Sequence, residues 1–175
     1  MPSTMGTFQA TGKPRLNTVH GATAVVFGGS DALVWGKELQ YGFEGNRAWS
    51  VELWARRDSG GSGDELLLGW GPEDRGVRLY WGGSPKVWSL SRNMAGWPVK
   101  PEAGRWHHIA FVFEGGGVRD TAGPMRLFLN GKEVLTKSYK LDLGAKMPVE
   151  IGGLVKDGKA ETGFNGALAH IRVYN

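Results

Sequence analysis

Aromatic side chains interleaved with arginine and asparagine are the residues of this 175-residue chain whose chemistry suits a ligand. Between Gly69 and Trp97 lie Trp70, Tyr80, Trp81, Trp88 and Trp97, with Arg78, Arg92 and Asn93 among them. Trp54 stands upstream. An indole held on a strand loses little entropy on binding and offers a flat apolar face, on which the C–H face of a sugar ring stacks. Polar neighbours would fix the hydroxyls. The candidate carbohydrate-binding set is therefore Trp54, Trp70, Arg78, Tyr80, Trp88, Arg92, Asn93 and Trp97. Each tryptophan has a plainer reading, core packing. Alternation assigns Trp49 and Trp106 to the core, and Tyr80 to the solvent side with Arg78, leaving Trp81 inward. Trp54 shares its face with Glu52 and Arg56; it is a platform if that face lines the concave sheet and packing if a loop covers it.

Catalytic constellations are missing. Glycoside hydrolysis needs two carboxylates across the scissile bond. Glu52 is alone on its strand, and Asp64-Glu65 and Glu73-Asp74 are adjacent pairs whose side chains would point oppositely on a strand. Tyr80, Arg78, Gln40 and His107 are the residue types of a lyase, but nothing in their spacing requires that they meet, and His107 reads as a structural histidine within the sheet. The glycine-rich stretches lack the following Gly-Lys-Ser/Thr of a phosphate loop. A G-x-S-x-G nucleophile elbow is absent. His20, His107, His108 and His170 do not follow a metal-ligand spacing. The expectation is a protein that is not an enzyme.

The elements that must position these residues are strands. Gly104–Gly131 reads as two of them: Trp106–Phe113 is apolar apart from His107 and His108, and Met125–Leu129 stops at Asn130-Gly131. Asn-Gly tolerates positive φ at both positions and is a strong turn signal. A strand so apolar is expected inside its sheet, covered on both faces. Trp49–Arg57 alternates: Trp49, Val51, Leu53 and Ala55 on one face, Ser50, Glu52, Trp54 and Arg56 on the other. Residues 1–20 are polar, with one edge strand near Phe8 and pairing blocked at Pro14. In the last strand, FNGALAHIRVY, the apolar spacing slips near Gly166, which predicts a bulge there. Ten to twelve such strands without a helical run give an all-β, two-sheet antiparallel β-sandwich.

Composition agrees. Gly is 29 of 175 without a triplet period, so the fold is rich in turns. The eight tryptophans exceed what a core of this size needs. Cysteine is absent, which excludes disulfides and thiolate metal sites. The net charge of +4 is spread evenly, 11 basic and 9 acidic groups in the first hundred residues and 10 and 8 in the rest. A nucleic-acid binder concentrates its charge, so no nucleic-acid partner is expected. No segment has the length or apolarity for membrane insertion. The start, MPSTMGTFQATG, lacks the apolar run of a secretory leader, and the chain stops just after a strand pattern. Residues 1–175 are expected to be one domain excised from a larger protein, with its targeting signal and covalently linked neighbouring domains elsewhere.

The order WSVELWARR (49–57), GRWHHIAFVFEG (104–115), MRLFLNGKEV (125–134), VEIGG (149–153) and FNGALAHIRVYN (164–175) resembles the laminin-G-like jelly rolls of the concanavalin A-like lectin/glucanase superfamily. Phe27-Gly28-Gly29-Ser30-Asp31 is similar to the first corner of these domains. The resemblance covers about Ala22 to Asn175. It implies a jelly roll with one concave sheet and Greek-key connections. It also implies a carbohydrate-binding or adhesion role on a secreted or cell-surface bacterial protein, with an oligo- or polysaccharide as partner. A protein-interaction domain or a spacer without a ligand are the alternatives. The resemblance further implies a rim site for Ca²⁺, for which Asp31, Asp74 and Asp157 offer oxygen ligands. The Glu-x-Asp-x-x-Glu strand of the laminarinase-like enzymes is missing.

Overall fold

A computed structural model describes residues 7–35, 43–58, 63–71, 76–81, 86–89, 93–96, 101–116, 121–144 and 148–175, with backbone alone for 86–89 and 93–96. These residues form two seven-stranded antiparallel sheets and a small hairpin.

The first sheet runs in the order β1 (Phe8–Thr11), β4 (Ala32–Trp35), β13 (Val149–Ile151), β6 (Glu65–Trp70), β7 (Val77–Trp81), β8 (Lys86–Ser89) and β9 (Asn93–Gly96). The second runs β12 (Lys132–Tyr139), β11 (Gly123–Leu129), β10 (His107–Phe113), β5 (Trp49–Arg57), β16 (Asn165–Tyr174), β3 (Ala22–Gly28) and β2 (Arg15–Val19). The hairpin is β14 (Leu154–Lys156) with β15 (Lys159–Glu161).

The inner faces of both sheets supply one core. Trp49, Val51, Leu53, Ile109, Phe111, Phe113 and Leu127 come from the second sheet, and Leu68, Trp70, Leu79, Trp81 and Ile151 from the first. β10 lies inside its sheet as expected, but its burial alternates: His107, Ile109, Phe111 and Phe113 are enclosed, while His108, Ala110 and Val112 are only half-buried. One face of this strand is therefore covered, not both.

The Trp-His-His and Asn-Gly segments lock to each other. Asn130 adopts φ 52 in the turn between β11 and β12. Its Oδ1 accepts the His108 N–H at 2.9 Å, and its Nδ2 donates to His107 Nδ1 at 3.2 Å. His107 Nε2 donates to the Glu102 carbonyl at 2.9 Å. Both ring nitrogens of the buried His107 are thus engaged, which is the structural role read from the sequence.

Two local readings need correction. β2 forms directly after Pro14, because Pro14 itself lies outside the ladder and Arg15–Val19 pairs with β3. The register shift in β16 falls between Ala169 and Arg172, beyond Gly166, with His170 at φ 49. Among the described residues, β1 and β2 are edge strands of their sheets, and Phe8 (51%) and Leu16 (76%) are exposed there.

Candidate binding face on the second sheet

The strict alternation of β5 sends Trp49, Val51, Leu53 and Ala55 into the core and leaves Ser50, Glu52, Trp54 and Arg56 on the outer face of the sheet. β10 and β16 flank β5 and extend this face. His108 stands opposite Trp54, Ala110 opposite Glu52 and Val112 opposite Ser50. On the other side Ala169 stands opposite Trp54, Arg172 opposite Glu52 and Tyr174 opposite Ser50. Register therefore brings Glu52 within reach of Tyr174, 122 positions away.

Glu52 is the hub. Its Oε1 accepts from Arg172 Nη1 and from Tyr174 Oη, each at 2.9 Å, and its Oε2 accepts from His108 Nε2 at 3.2 Å. The His108 ring lies 5.3 Å from the Trp54 ring at an interplanar angle of 49°. Trp54 is 40% exposed and Tyr174 47%. Beside Tyr174, at the strand ends, opens a hollow of about 370 Å³ lined in part by Ser50, Val112 and Glu114.

The charges of the network reinforce one another. The Arg172 hydrogen bond, then that from Tyr174, holds the Glu52 carboxyl below its ordinary range, against partial burial that opposes ionisation. The same carboxylate raises the Tyr174 phenol above its usual value. A depressed carboxyl stabilises the fold above its unfolded pKa and loses that effect as pH falls through its folded one. A raised phenol stabilises below the unfolded value and loses that effect as pH rises through the folded one. The network should hold across mild pH and open at both extremes. In Glu52→Gln the Tyr174 titration, followed by NMR of the ring carbons, is expected to move down toward the ordinary tyrosine value; an unmoved Tyr174 would show that the carboxylate does not set it.

Trp106 also belongs to this outer face. It packs, half-buried, over Ala24, Ala167 and Ala169, and its Nε1–H reaches the Val19 carbonyl at 3.4 Å. The expectation that Trp106 is core is corrected: it has the parity of His108, and small alanines leave it a floor on the outside.

The other sequence candidates fall elsewhere. Trp70 is fully enclosed, edge-on to Trp49 with ring centroids 4.9 Å apart. Tyr80, expected to face solvent, is only 7% exposed. Arg78 is buried as well. Its guanidinium donates to the carbonyls of Trp70 at 3.1 Å and Gly71 at 2.8 Å and lies 3.9 Å from the Glu150 carboxylate. It lies across Gly69, where a Cβ would come within 2.7 Å of Arg78 Cδ. That arginine is a strut of the first sheet. Trp88 stands opposite Arg78 in the β7–β8 register, and Asn93 opposite Ser89 between β8 and β9. Arg92, Trp97 and Asp74 lie outside the described residues, as does Gln40.

The proposed calcium ligands are also separated. Asp31 accepts the backbone N–H of Lys13 through Oδ1 and of Gly28 through Oδ2, both at 2.7 Å, so it closes a chain corner. Asp157 sits at φ 49 in the turn between β14 and β15. Among the described residues no three His, Asp or Glu side chains converge as a metal site.

Sequence reasoning had Trp54 and its face but missed the partners of Glu52. Glu52 read as a lone carboxylate, and nothing local marks Arg172 and Tyr174 as its neighbours. Glu52 is the one acid on β5, β10 and β16, so these strands carry no facing acid pair.

Two antiparallel sheets that share one core define an all-β sandwich. The family model for laminin-G-like domains, described as the concanavalin A-like lectin/glucanases superfamily, matches residues 17–175. The chain belongs to that superfamily and has its jelly-roll fold. No curated protein matches the sequence significantly. Among solved structures, domain 4 of AbnA, a GH43 extracellular arabinanase from Geobacillus stearothermophilus in complex with arabinotriose, superimposes with a TM-score of 0.73 at 19% identity, covering 98% of this chain and 84% of that one. A SAP-like pentraxin from Limulus polyphemus gives 0.63 at 17% identity over 86% of this chain and 74% of that one. The binding domain of botulinum neurotoxin DC, in complex with rat synaptotagmin II, gives 0.70 at 10% identity over 97% of this chain and 43% of that one. At these identities the likeness is one of fold. No helix among the described residues is long and apolar enough to cross a membrane.

Proposed function

We propose that the chain is a non-catalytic carbohydrate-binding module of an extracellular or cell-surface protein, and that it binds through the Trp54 face of the second sheet. The observation that carries this reading is the exposed indole of Trp54 in mid-strand, flanked by a fixed set of polar groups. A sugar ring that stacks on Trp54 would find the Glu52 carboxylate within the same face as a hydroxyl acceptor. The arabinanase domain solved with arabinotriose supports the reading, since the same fold there accompanies an oligosaccharide.

A glycan array of neutral and anionic polysaccharides, with and without EDTA, tests it. Binding to a defined glycan is expected, and since stacking on Trp54 with Glu52 as acceptor needs no cation, EDTA should leave binding through this face unchanged. Trp54→Ala should weaken binding about tenfold or more, the loss of roughly 1.4 kcal/mol, with an unchanged melting profile. Trp88→Ala serves as a comparator on β8 of the first sheet, and Trp97→Ala tests the remaining tryptophan candidate. No binding across a broad array would overturn the proposal.

A protein partner is the second reading, favoured by a different surface. Phe8 and Leu16 are exposed beside an apolar hollow of about 300 Å³ that also touches Val25, Leu33 and Ile171. The fold matches a part, 43%, of the neurotoxin binding domain solved with synaptotagmin II. Loss of a protein partner in Leu16→Asp, with glycan binding intact, would separate the two surfaces.

A further inference from the structure

We infer that the Trp54 face selects an uncharged glycan, laid along β5 and longer than one sugar ring. This rests on the carbohydrate reading above and specifies its ligand. It follows from the charge balance of the face. β5, β10, β11 and β16 carry four arginines and no lysine. Arg172 pairs with Glu52 at 2.9 Å, Arg126 with Glu114 at 2.8 Å and Arg56 with Asp58; Arg57 points inward to Glu65 at 2.7 Å. A uronate or sulfate arriving here meets cations that are already matched. It must break a pair or settle beside the Glu52 carboxylate, where like charges repel.

Glu52 favours a hydroxyl in place of an anion. A carboxylate has about four lone-pair sites. Two donors occupy Oε1 and one occupies Oε2, so Oε2 keeps acceptor capacity beside the His108 contact. A sugar hydroxyl donates into such a site with the strength of a charge-assisted bond. Arg172, Tyr174 and His108 hold the carboxylate in place before the ligand arrives, so little ordering remains at binding.

The length follows from register. Tyr174 stands opposite Ser50, four residues along β5 from Trp54, which is about 14 Å of strand. Trp54 on β5 and Tyr174 on β16 are thus two exposed rings at different levels of the same face, with Glu52 between them, to which the Tyr174 hydroxyl reaches back at 2.9 Å, and with the hollow beside Tyr174. A chain of several units reaches both rings; a monosaccharide reaches one.

Titration calorimetry tests the inference with gluco-, manno-, xylo- and arabino-oligosaccharides of one to four units against galacturonate and heparin oligosaccharides of matched length, at low and high NaCl. A neutral series should bind, gain about tenfold or more in affinity between one unit and three, and change less than about twofold with salt. Tyr174→Phe, which keeps the ring, should retain the gain with length, and Tyr174→Ala should lose it. Glu52→Gln, checked for fold by its melting profile, should weaken the neutral ligand severalfold and raise the affinity for the anionic probes. Tighter binding of the anionic series, falling steeply with salt and lost in Trp54→Ala, overturns the inference and leaves the carbohydrate reading standing. Failure of both series to bind overturns the carbohydrate reading itself, and the inference with it.

Discussion

Glu65→Ala should destabilise the fold by about 3–5 kcal/mol, the range for removing one partner of a buried ion pair. Arg57, at the end of β5, and Glu65, at the start of β6, join the two sheets through a two-point contact, Nη2 to Oε1 at 2.7 Å and Nε to Oε2 at 3.2 Å. Both side chains are nearly enclosed. Glu65 Oε2 also accepts the backbone N–H of Asn165 at 3.2 Å, so the same carboxylate anchors the first residue of β16. Alanine would leave a buried guanidinium without its carboxylate and an amide without its acceptor, each costly in a poorly hydrated site. Denaturant unfolding measures the loss. The double replacement Arg57→Met with Glu65→Leu should recover much of it, because desolvation of the two charges offsets most of their attraction. A Glu65→Ala protein within 1 kcal/mol of the parent would show that the pair behaves like a surface bridge.

Gly152→Ala should cost about 2–5 kcal/mol, from two causes that add. Gly152 has φ 76, a conformation that costs an L-residue roughly 1–2 kcal/mol. Its missing Cβ also makes room for Phe27, whose ring would overlap any atom placed there. Phe27 is fully enclosed in the core, so relief requires moving packed atoms, typically a further 1–3 kcal/mol. The backbone around Gly152 cannot yield easily, since its N–H donates to the Leu67 carbonyl at 3.1 Å and its carbonyl accepts from Phe164 at 2.7 Å. Gly131→Ala is the control. It has φ 78 but open space at its Cβ, so it should show the conformational cost alone. Equal losses in the two variants would remove the packing part of the argument.

The sequence reading reached β5 almost completely, because one strand with a buried and an open face writes its alternation into nine consecutive residues. It reached the Asn130 turn for a similar reason: positive φ is a local demand. Tyr80 shows where alternation stops. Sharing a face with Arg78 correctly placed the two together, yet the face itself is covered. Arg78 tolerates burial because the Trp70 and Gly71 carbonyls and Glu150 satisfy it, and that solution depends on β6 and β13. Parity tells which residues share a side; only the tertiary partners tell whether that side meets water. The Glu52 hub was hidden for the same reason, since its two strongest donors come from the last strand of the sequence.

The place of that last strand has a consequence for synthesis. β16 is not an edge of its sheet; it is inserted between β3 and β5. On the ribosome, the second sheet therefore remains split along its middle until residues 165–174 have emerged. Through that interval β3 and β5 each offer a bare ladder of amides and carbonyls to any passing chain. The closing event joins segments more than a hundred positions apart, which is slow in folding terms. Protection of the nascent chain is thus needed until β16 has emerged, and removing residues 165–174 should yield aggregates rather than a smaller sandwich.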